Sequence, residues 1–383
     1  MKYFIFTKFN FNHILFLSYF IINNIKTILK KLYNPTKDII ASFFSNYLAS
    51  FSDFLSIIPV LIIKKRTKNS KYNEANSIDK YYLIFNDKNT ESAKKKRPKV
   101  FILIIICSIL EFFAEYSDVI LLIILKKNLI TVNSFNLNSL LIINIISQYI
   151  FSRIILHSLF YRHHYISFLI NLIFLIVLVI KDIFHINDKD NEPIITFLYI
   201  ISKIITVILY AIEDVLAKII LTYNFISPYT FLLYRGIFVN SLVIIFSIIF
   251  CFIDLPEENG ENSCVFTRFW KLFEKKINIL NYIGIFIVNF LDSVIIFLII
   301  DRFSPSHVAM TITIGHFGKL LISIIDRSIE ISDFFLRLII YIILIIASSI
   351  HNEFIILNFC ELQKNTKLFL EKEAESDMNQ NGF

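Results

Sequence analysis

Long apolar runs dominate this sequence, and they constrain its fold more than any other feature. Nine runs of about 20 residues lie at 39–63, 100–125, 138–160, 164–183, 195–221, 228–253, 278–301, 305–326 and 334–357. A helix of about 20 apolar residues crosses the hydrocarbon core of a bilayer, because each residue adds about 1.5 Å. Since 56% of the 383 residues are hydrophobic and only 18% are charged, we predict an all-α polytopic membrane protein.

A tenth apolar run, at 9–29, is ambiguous. It is long enough to insert but carries His13, Asn23, Asn24 and Lys26, so a transmembrane helix, a signal anchor and a surface helix all stay open. If it is counted, about ten helices form two inverted five-helix repeats at 1–190 and 191–358. The remaining residues, 359–383, then form a cytosolic tail.

The loop 64–99 predicts the orientation. It holds twelve Lys and Arg residues against four acids, and such basic loops stay in the cytosol. Counting helices forward from this loop places the C-terminus in the cytosol too. The net charge of +7 lies largely in this loop, which favours an orientation signal facing lipid headgroups and argues against a nucleic-acid partner.

One lysine lies well inside an apolar run. The run 305–326 contains His316 and Lys319, and a lysine in hydrocarbon costs about 3 kcal/mol or more, so it is a candidate functional residue. The alternative is that its long side chain reaches an interface. Arg153 lies at a matching depth in the run 138–160, which predicts one buried cation in each repeat.

Four polar residues share one face of the run 195–221. Lys203, Tyr210, Asp214 and Lys218 follow one another at steps of 7, 4 and 4, which is helical spacing. Asp214 and Lys218 can form an ion pair, and a purely structural pair is the competing interpretation.

Three acids share one face of the run 100–125. Glu111, Glu115 and Asp118 are separated by steps of 4 and 3. Acids grouped in a membrane helix suit a proton or cation carrier, or serve as counter-ions. In the structural alternative they pair with basic residues of facing helices, namely Arg153, Lys203 or Arg235.

Nothing in the sequence predicts an enzyme. There is no glycine-rich phosphate loop, no metal-ligand spacing of Cys or His and no G-x-S-x-G motif. We therefore predict no catalytic residues, no metal and no cofactor. His163 and His164 are predicted to be exposed in a short cytosolic turn.

Two segments resemble a known family. YAIEDVLAKIILTYNFISPYTFLLYRGIF (210–238), with Ser227-Pro228 in its turn, is similar to the sixth and seventh helices of the drug/metabolite transporter superfamily. TIGHFGKLLISIID (313–326) is similar to the ninth helix of its nucleotide-sugar and triose-phosphate (EamA-like) branch. The resemblance implies ten helices in two inverted repeats, with Lys319 and Lys218 at substrate-binding positions.

The resemblance implies a secondary transporter of a small anionic metabolite, such as a nucleotide sugar or sugar phosphate. Its predicted contacts are Lys319, Lys218, Arg153, His316, Gly315 and Lys203. Family habit favours the Golgi or endoplasmic reticulum over the plasma membrane, and a homodimer stays open. Two alternatives are a proton- or cation-coupled transporter of an amine or neutral metabolite, using Glu111, Glu115 and Asp118 with Asp214 as a counter-ion, and a non-transporting membrane scaffold or receptor.

Overall fold

The computed structural model describes residues 4–6, 11–33, 39–69, 91–125, 137–158, 160–184, 193–224, 226–251, 254–256, 262–264, 276–312, 320, 331–357 and 366. Nearly all of these residues are helical. The helices are α1 (Phe11–Tyr33), α2 (Ile39–Ser52), α3 (Ile57–Asn69), α4 (Glu91–Leu125), α5 (Leu137–Ile155), α6 (Arg162–Phe184), α7 (Pro193–Lys218), α8 (Pro228–Cys251), α9 (Lys276–Arg302), α10 (305–312) and α11 (Ile331–His351).

Short non-α elements join or extend these helices. A 3₁₀ turn, Asp53–Ser56, continues α2 into α3, and a π turn, Ile219–Tyr223, ends α7. Strand β1 (Phe4–Phe6) pairs antiparallel with β4 (Ile355–Leu357), with Ile5 opposite Ile356. Strand β2 (Asp254–Pro256) pairs antiparallel with β3 (Asn262–Cys264).

The chain divides into two compact units, and each takes helices from both halves of the sequence. Unit 1 consists of Met1–Asn24, Asn136–Ile186 and Ser306–Phe383. Unit 2 consists of Ile25–Phe135 and Asn187–Pro305. The predicted repeats, 1–190 and 191–358, divide the sequence, whereas the units divide the packed helices. The unit boundaries therefore do not correspond to the repeat boundaries.

Six helical stretches in the described part of the chain are long and apolar enough to span a membrane. They are Asn46–Lys65, Lys99–Ser117, Arg162–Ile180, Pro228–Ile249, Leu280–Arg302 and Asp333–His351. Two shorter apolar helices, Ile14–Lys26 and Ile142–Ile155, lie within two further predicted runs. The all-α membrane class is therefore confirmed, and the protein is an integral membrane protein.

The outer faces of these helices are apolar. In the second half of α8, Ile244, Ile245, Ile248 and Ile249 are each more than half exposed. Water would not favour such a continuous apolar surface, whereas lipid tails match it. Two polar side chains of α8, Arg235 and Asn240, turn inward instead and are buried.

Unit 1 is held together by an apolar core crossed by a few side-chain hydrogen bonds. Ile145 and Leu175 from α5 and α6 pack against Met310 and Leu344 from α10 and α11. Ser348 Oγ donates to the Met310 carbonyl oxygen at 2.8 Å. These contacts fix the ends of α10 and α11 against α6, where several histidines lie.

Unit 2 is centred on α4 and α8. Helix α4 packs against α7 and α8, α9 packs against α2 and α8, and the 3₁₀ turn packs against α8. Helix α8 begins at Pro228, where proline needs no N–H partner. Ser227 Oγ caps it by accepting from the Thr230 N–H at 3.2 Å. The expected turn at Ser227-Pro228 is thus confirmed.

Candidate functional site

A buried arginine surrounded by carboxylates lies at the centre of unit 2. Arg235 is two turns into α8, and its Nη2 donates to Asp53 Oδ2 at 2.6 Å. Its Nη1 donates to Glu213 Oε1 at 2.8 Å. Its Nε donates to Asp53 Oδ2 at 3.1 Å and lies 3.0 Å from Glu111 Oε2. We call these four residues the Arg235 cluster.

The Arg235 cluster is buried and joins four elements. Arg235 is 5% exposed, and its three acidic partners are 1–4% exposed. They come from the 3₁₀ turn, α4 and α7. The Phe297 ring of α9 lies 4.6 Å from the Arg235 Cζ atom, close enough for a cation–π contact. The guanidinium thus contacts three carboxylates and one aromatic ring, all from unit 2.

The cluster contains more acid than base. One guanidinium faces three carboxylates, so full ionisation would leave two uncompensated negative charges in a buried site. Buried carboxylates are stable only when paired, hydrogen-bonded or neutralised. Asp53 receives two N–H bonds and Glu213 one. Glu111 Oε2 approaches Arg235 closely but has no hydrogen-bond partner within the described part of the chain. Glu111 is therefore the member least stabilised as an anion.

Two of the three acids on the predicted face of α4 make polar contacts. Glu111 meets Arg235, one of the three basic partners that the sequence offered. Glu115 Oε2 accepts from Ser50 Oγ at 2.7 Å, and its carbonyl oxygen accepts from Asn46 Nδ2 at 2.7 Å. The side chain of Asp118 lies outside the described residues. The face thus belongs to an α2–α4–α8 network.

A glycine allows α8 to approach the 3₁₀ turn. Gly236 follows Arg235, and a Cβ added to it would lie 2.9 Å from the Cβ of Asp53. No ordinary side chain tolerates this distance without movement. The absence of a side chain at Gly236 therefore lets Asp53 reach Arg235.

Lys218 lies at the end of α7 and bonds to the end of α9. Its Nζ donates to the Asp301 carbonyl oxygen at 2.8 Å, and Thr222 Oγ1 of the π turn donates to the same oxygen at 3.3 Å. Lys203 and Asp214, on the predicted face of α7, are half-buried. Glu213, which points away from that face, reaches Arg235 instead.

Of the other predicted substrate contacts, the structure describes Arg153 but not the remaining three. Arg153 is exposed at the end of α5 in unit 1, where its Nη1 donates to the Ser158 carbonyl oxygen at 3.0 Å. Lys319, His316 and Gly315 lie outside the described residues. The anionic-substrate site stays a prediction.

The expectation of exposed histidines at the start of α6 is wrong. His163 is 3% and His164 7% exposed, because α10 and α11 cover the first turn of α6. The sequence pattern YRHH resembles a polar turn, and only tertiary packing reveals its burial. The sequence analysis also did not select Asp53 and Glu213 as site residues. Each is an acid inside an apolar run, and that pattern could have identified them.

No protein-family model matches this sequence, and no curated protein matches it. Among solved structures, the chain is similar to one described only as "Crystal structure of protein", with a TM-score of 0.53 and 7% identity. The match covers 88% of this chain and 95% of that chain. At this identity the likeness concerns the fold alone, which is shared over most of both chains.

Proposed function

We propose that this protein is a secondary transporter in which the Arg235 cluster binds a coupling proton. The observation that carries the proposal is the excess of buried acid over base among Arg235, Asp53, Glu111 and Glu213. Acids within membrane helices commonly form proton pathways in pumps and transporters. A purely structural ion pair would need one carboxylate, not three.

Glu111 carries the proton in this proposal. In the described part of the chain it accepts none of the N–H bonds that stabilise Asp53 and Glu213 as anions, and it lies on the acidic face of α4. A neutral Glu111 leaves Arg235 shared between two carboxylates, and loss of the proton adds a buried negative charge. The two protonation states therefore favour different packing of α4, α7 and α8 around Arg235. A coupled transporter requires such a difference between its states.

The helix contacts support an inverted repeat. With α1 as the first of ten spans and α2–α3 as the second, α4 and α9 are the third and eighth. Helix α4 contacts α8, and five spans later α9 contacts α2. Likewise α4 contacts α7, and α9 contacts α1 through the Lys26–Asp292 ion pair. Repeats of this kind underlie alternating access in many transporters.

A proteoliposome assay tests the proposal. Purified protein is reconstituted with a pH-sensitive dye inside the vesicles, and amines, neutral metabolites and anionic metabolites are added in turn. We expect one class to drive proton movement. Glu111→Gln is expected to reduce that proton signal at least tenfold while exchange of the same solute across the membrane continues.

Asp333→Asn is the matched control, because Asp333 pairs with Arg337 within one turn of α11. It should leave proton movement unchanged. The proposal fails if no solute moves protons through the wild-type protein, or if Glu111→Gln couples as well as wild type.

The transporter of an anionic metabolite remains the second candidate. Lys218 is half-buried beside the end of α9, at the position where the family resemblance predicts a substrate contact. Uptake of radiolabelled anions into the same proteoliposomes tests it. Uptake that is abolished by both Lys218→Met and Lys319→Ala would favour this candidate, and uptake unchanged in both would exclude it.

A further inference from the structure

Four histidines from three distant segments of the sequence converge in unit 1. His163 and His164 begin α6, His307 lies in α10 and His351 ends α11. The ring centroid of His351 lies 4.7 Å from those of both His164 and His307. One ring nitrogen from each of these three residues lies within 4.8 Å of the other two.

His351 has the hydrogen bonding expected of a metal ligand. It is fully buried, and its Nδ1 bonds to the Tyr149 hydroxyl at 2.9 Å. Its Nε2 is buried without a hydrogen-bond partner among the described residues. Metal-ligating histidines usually have the second ring nitrogen held in this way, which fixes the ring and leaves the other nitrogen for the ion.

The hydrogen bonding of His164 is less suited to a metal ligand, because its Nδ1 lone pair is already occupied. Its Nδ1 accepts from the Tyr161 backbone N–H at 3.1 Å. A neutral imidazole that accepts at Nδ1 carries its proton on Nε2. An ion can therefore reach a lone pair of His164 only if the Tyr161 contact breaks. Binding should consequently rearrange the turn before α6.

A second group of ligand atoms adjoins the first. His163 Nε2 lies 3.4 Å from Glu353 Oε1, and these residues with His164 form another set of convergent ligand atoms. His163 is buried, and neither of its ring nitrogens has a hydrogen-bond partner among the described residues. Glu353 supplies a negative charge beside the imidazoles.

We propose that His164, His307 and His351 bind a divalent transition-metal ion, with Zn²⁺ the best fit. Imidazole nitrogens suit Zn²⁺, Cu²⁺ and Ni²⁺, whereas Mg²⁺ and Ca²⁺ prefer oxygen. Three histidines leave a fourth tetrahedral position for water or Glu353. Zn–N bonds are about 2.0–2.1 Å, so the three rings close inward on the ion and link α6, α10 and α11.

Metal titration of the purified full-length protein tests this inference. After removal of metals with a chelator, Zn²⁺ binding is measured by calorimetry, and Co²⁺ binding by its visible absorption. We expect one ion per chain. His351→Ala and His307→Ala should each weaken Zn²⁺ binding more than tenfold and change the Co²⁺ spectrum.

Tyr149→Phe separates a metal site from a purely structural histidine cluster. It keeps all three ligands but removes the hydroxyl that bonds to His351, so Zn²⁺ affinity should fall about 10- to 100-fold. The control is His157→Asn, an exposed histidine with φ of 50°, a conformation that asparagine tolerates. It should bind Zn²⁺ like wild type.

The inference is overturned if the stripped wild-type protein binds no Zn²⁺, or if the variants at His351, His307 and Tyr149 bind it as tightly as His157→Asn. Size-exclusion chromatography identifies any variant that does not fold. If a histidine variant does not fold, Tyr149→Phe, which removes one hydroxyl, provides the decisive comparison.

Discussion

At Gly236 the absence of a side chain decides how closely α8 approaches the 3₁₀ turn. Gly236→Ala would place a Cβ 2.9 Å from the Cβ of Asp53, so Asp53 and Arg235 must separate. We expect a loss of about 1–3 kcal/mol, as for other overpacked sites, seen as a lower melting temperature in detergent.

Gly284→Ala in α9 is the matched control. Among the residues that the structure describes, its added Cβ would meet only the Leu29 side chain, at 3.4 Å, and a flexible leucine end can move. Equal destabilisation by both substitutions would contradict the role assigned to Gly236.

Arg235 is the single cation of the cluster, and its removal leaves three buried acids. We expect Arg235→Leu to destabilise the protein by about 3–5 kcal/mol, the usual cost of leaving a buried charge unpaired. Arg235→Lys should cost less, because the charge remains although one ammonium cannot bridge the same three carboxylates. Thermal unfolding in detergent measures both, and a greater loss for lysine than for leucine would refute the charge argument.

At the scale of elements, the π turn ties the end of α7 to the end of α9. Lys218 Nζ and Thr222 Oγ1 both donate to the Asp301 carbonyl oxygen. Hydrogen bonds from charged groups contribute about 1.5–3 kcal/mol, and the half-buried position of Lys218 reduces this. We expect Lys218→Met to lower stability by about 1 kcal/mol.

Thr222→Val provides the comparison, since it removes the longer of the two bonds at 3.3 Å. It should lower the melting temperature less than Lys218→Met does. A Lys218→Met protein with wild-type stability but no solute uptake would instead assign the lysine to substrate binding.

Helix positions were predictable because apolar length is a local property. The run 228–253 corresponds to α8, and the Ser227 cap with Pro228 fixes its first residue. The run 195–221 was predicted as one helix, but its end forms a π turn at Ile219–Tyr223. No residue pattern in IILTY predicts that turn, which contacts α4, α8 and α9 in the folded protein.

At the scale of the whole molecule, the predicted orientation can be measured directly. In a variant whose four native cysteines are replaced by serine, Lys80→Cys reports on the loop 64–99 and Glu257→Cys on the acidic segment after α8. Basic loops stay in the cytosol. Five predicted apolar runs separate the two positions, which places residue 257 on the opposite side of the membrane. We expect an impermeant thiol reagent applied from the cytosolic side to label position 80 but not 257. The reverse pattern would invert the topology.

The sequence by itself determined the membrane class, the helical content and the acidic face of α4, because each depends on residues near one another in the chain. It also predicted Arg235 as one partner for that face. Only the tertiary structure decided that Asp53 and Glu213 join Arg235, and that His164, His307 and His351 converge. Those residues lie on different elements, and their proximity depends on which helix faces pack together. Apolar runs of similar composition do not encode that choice.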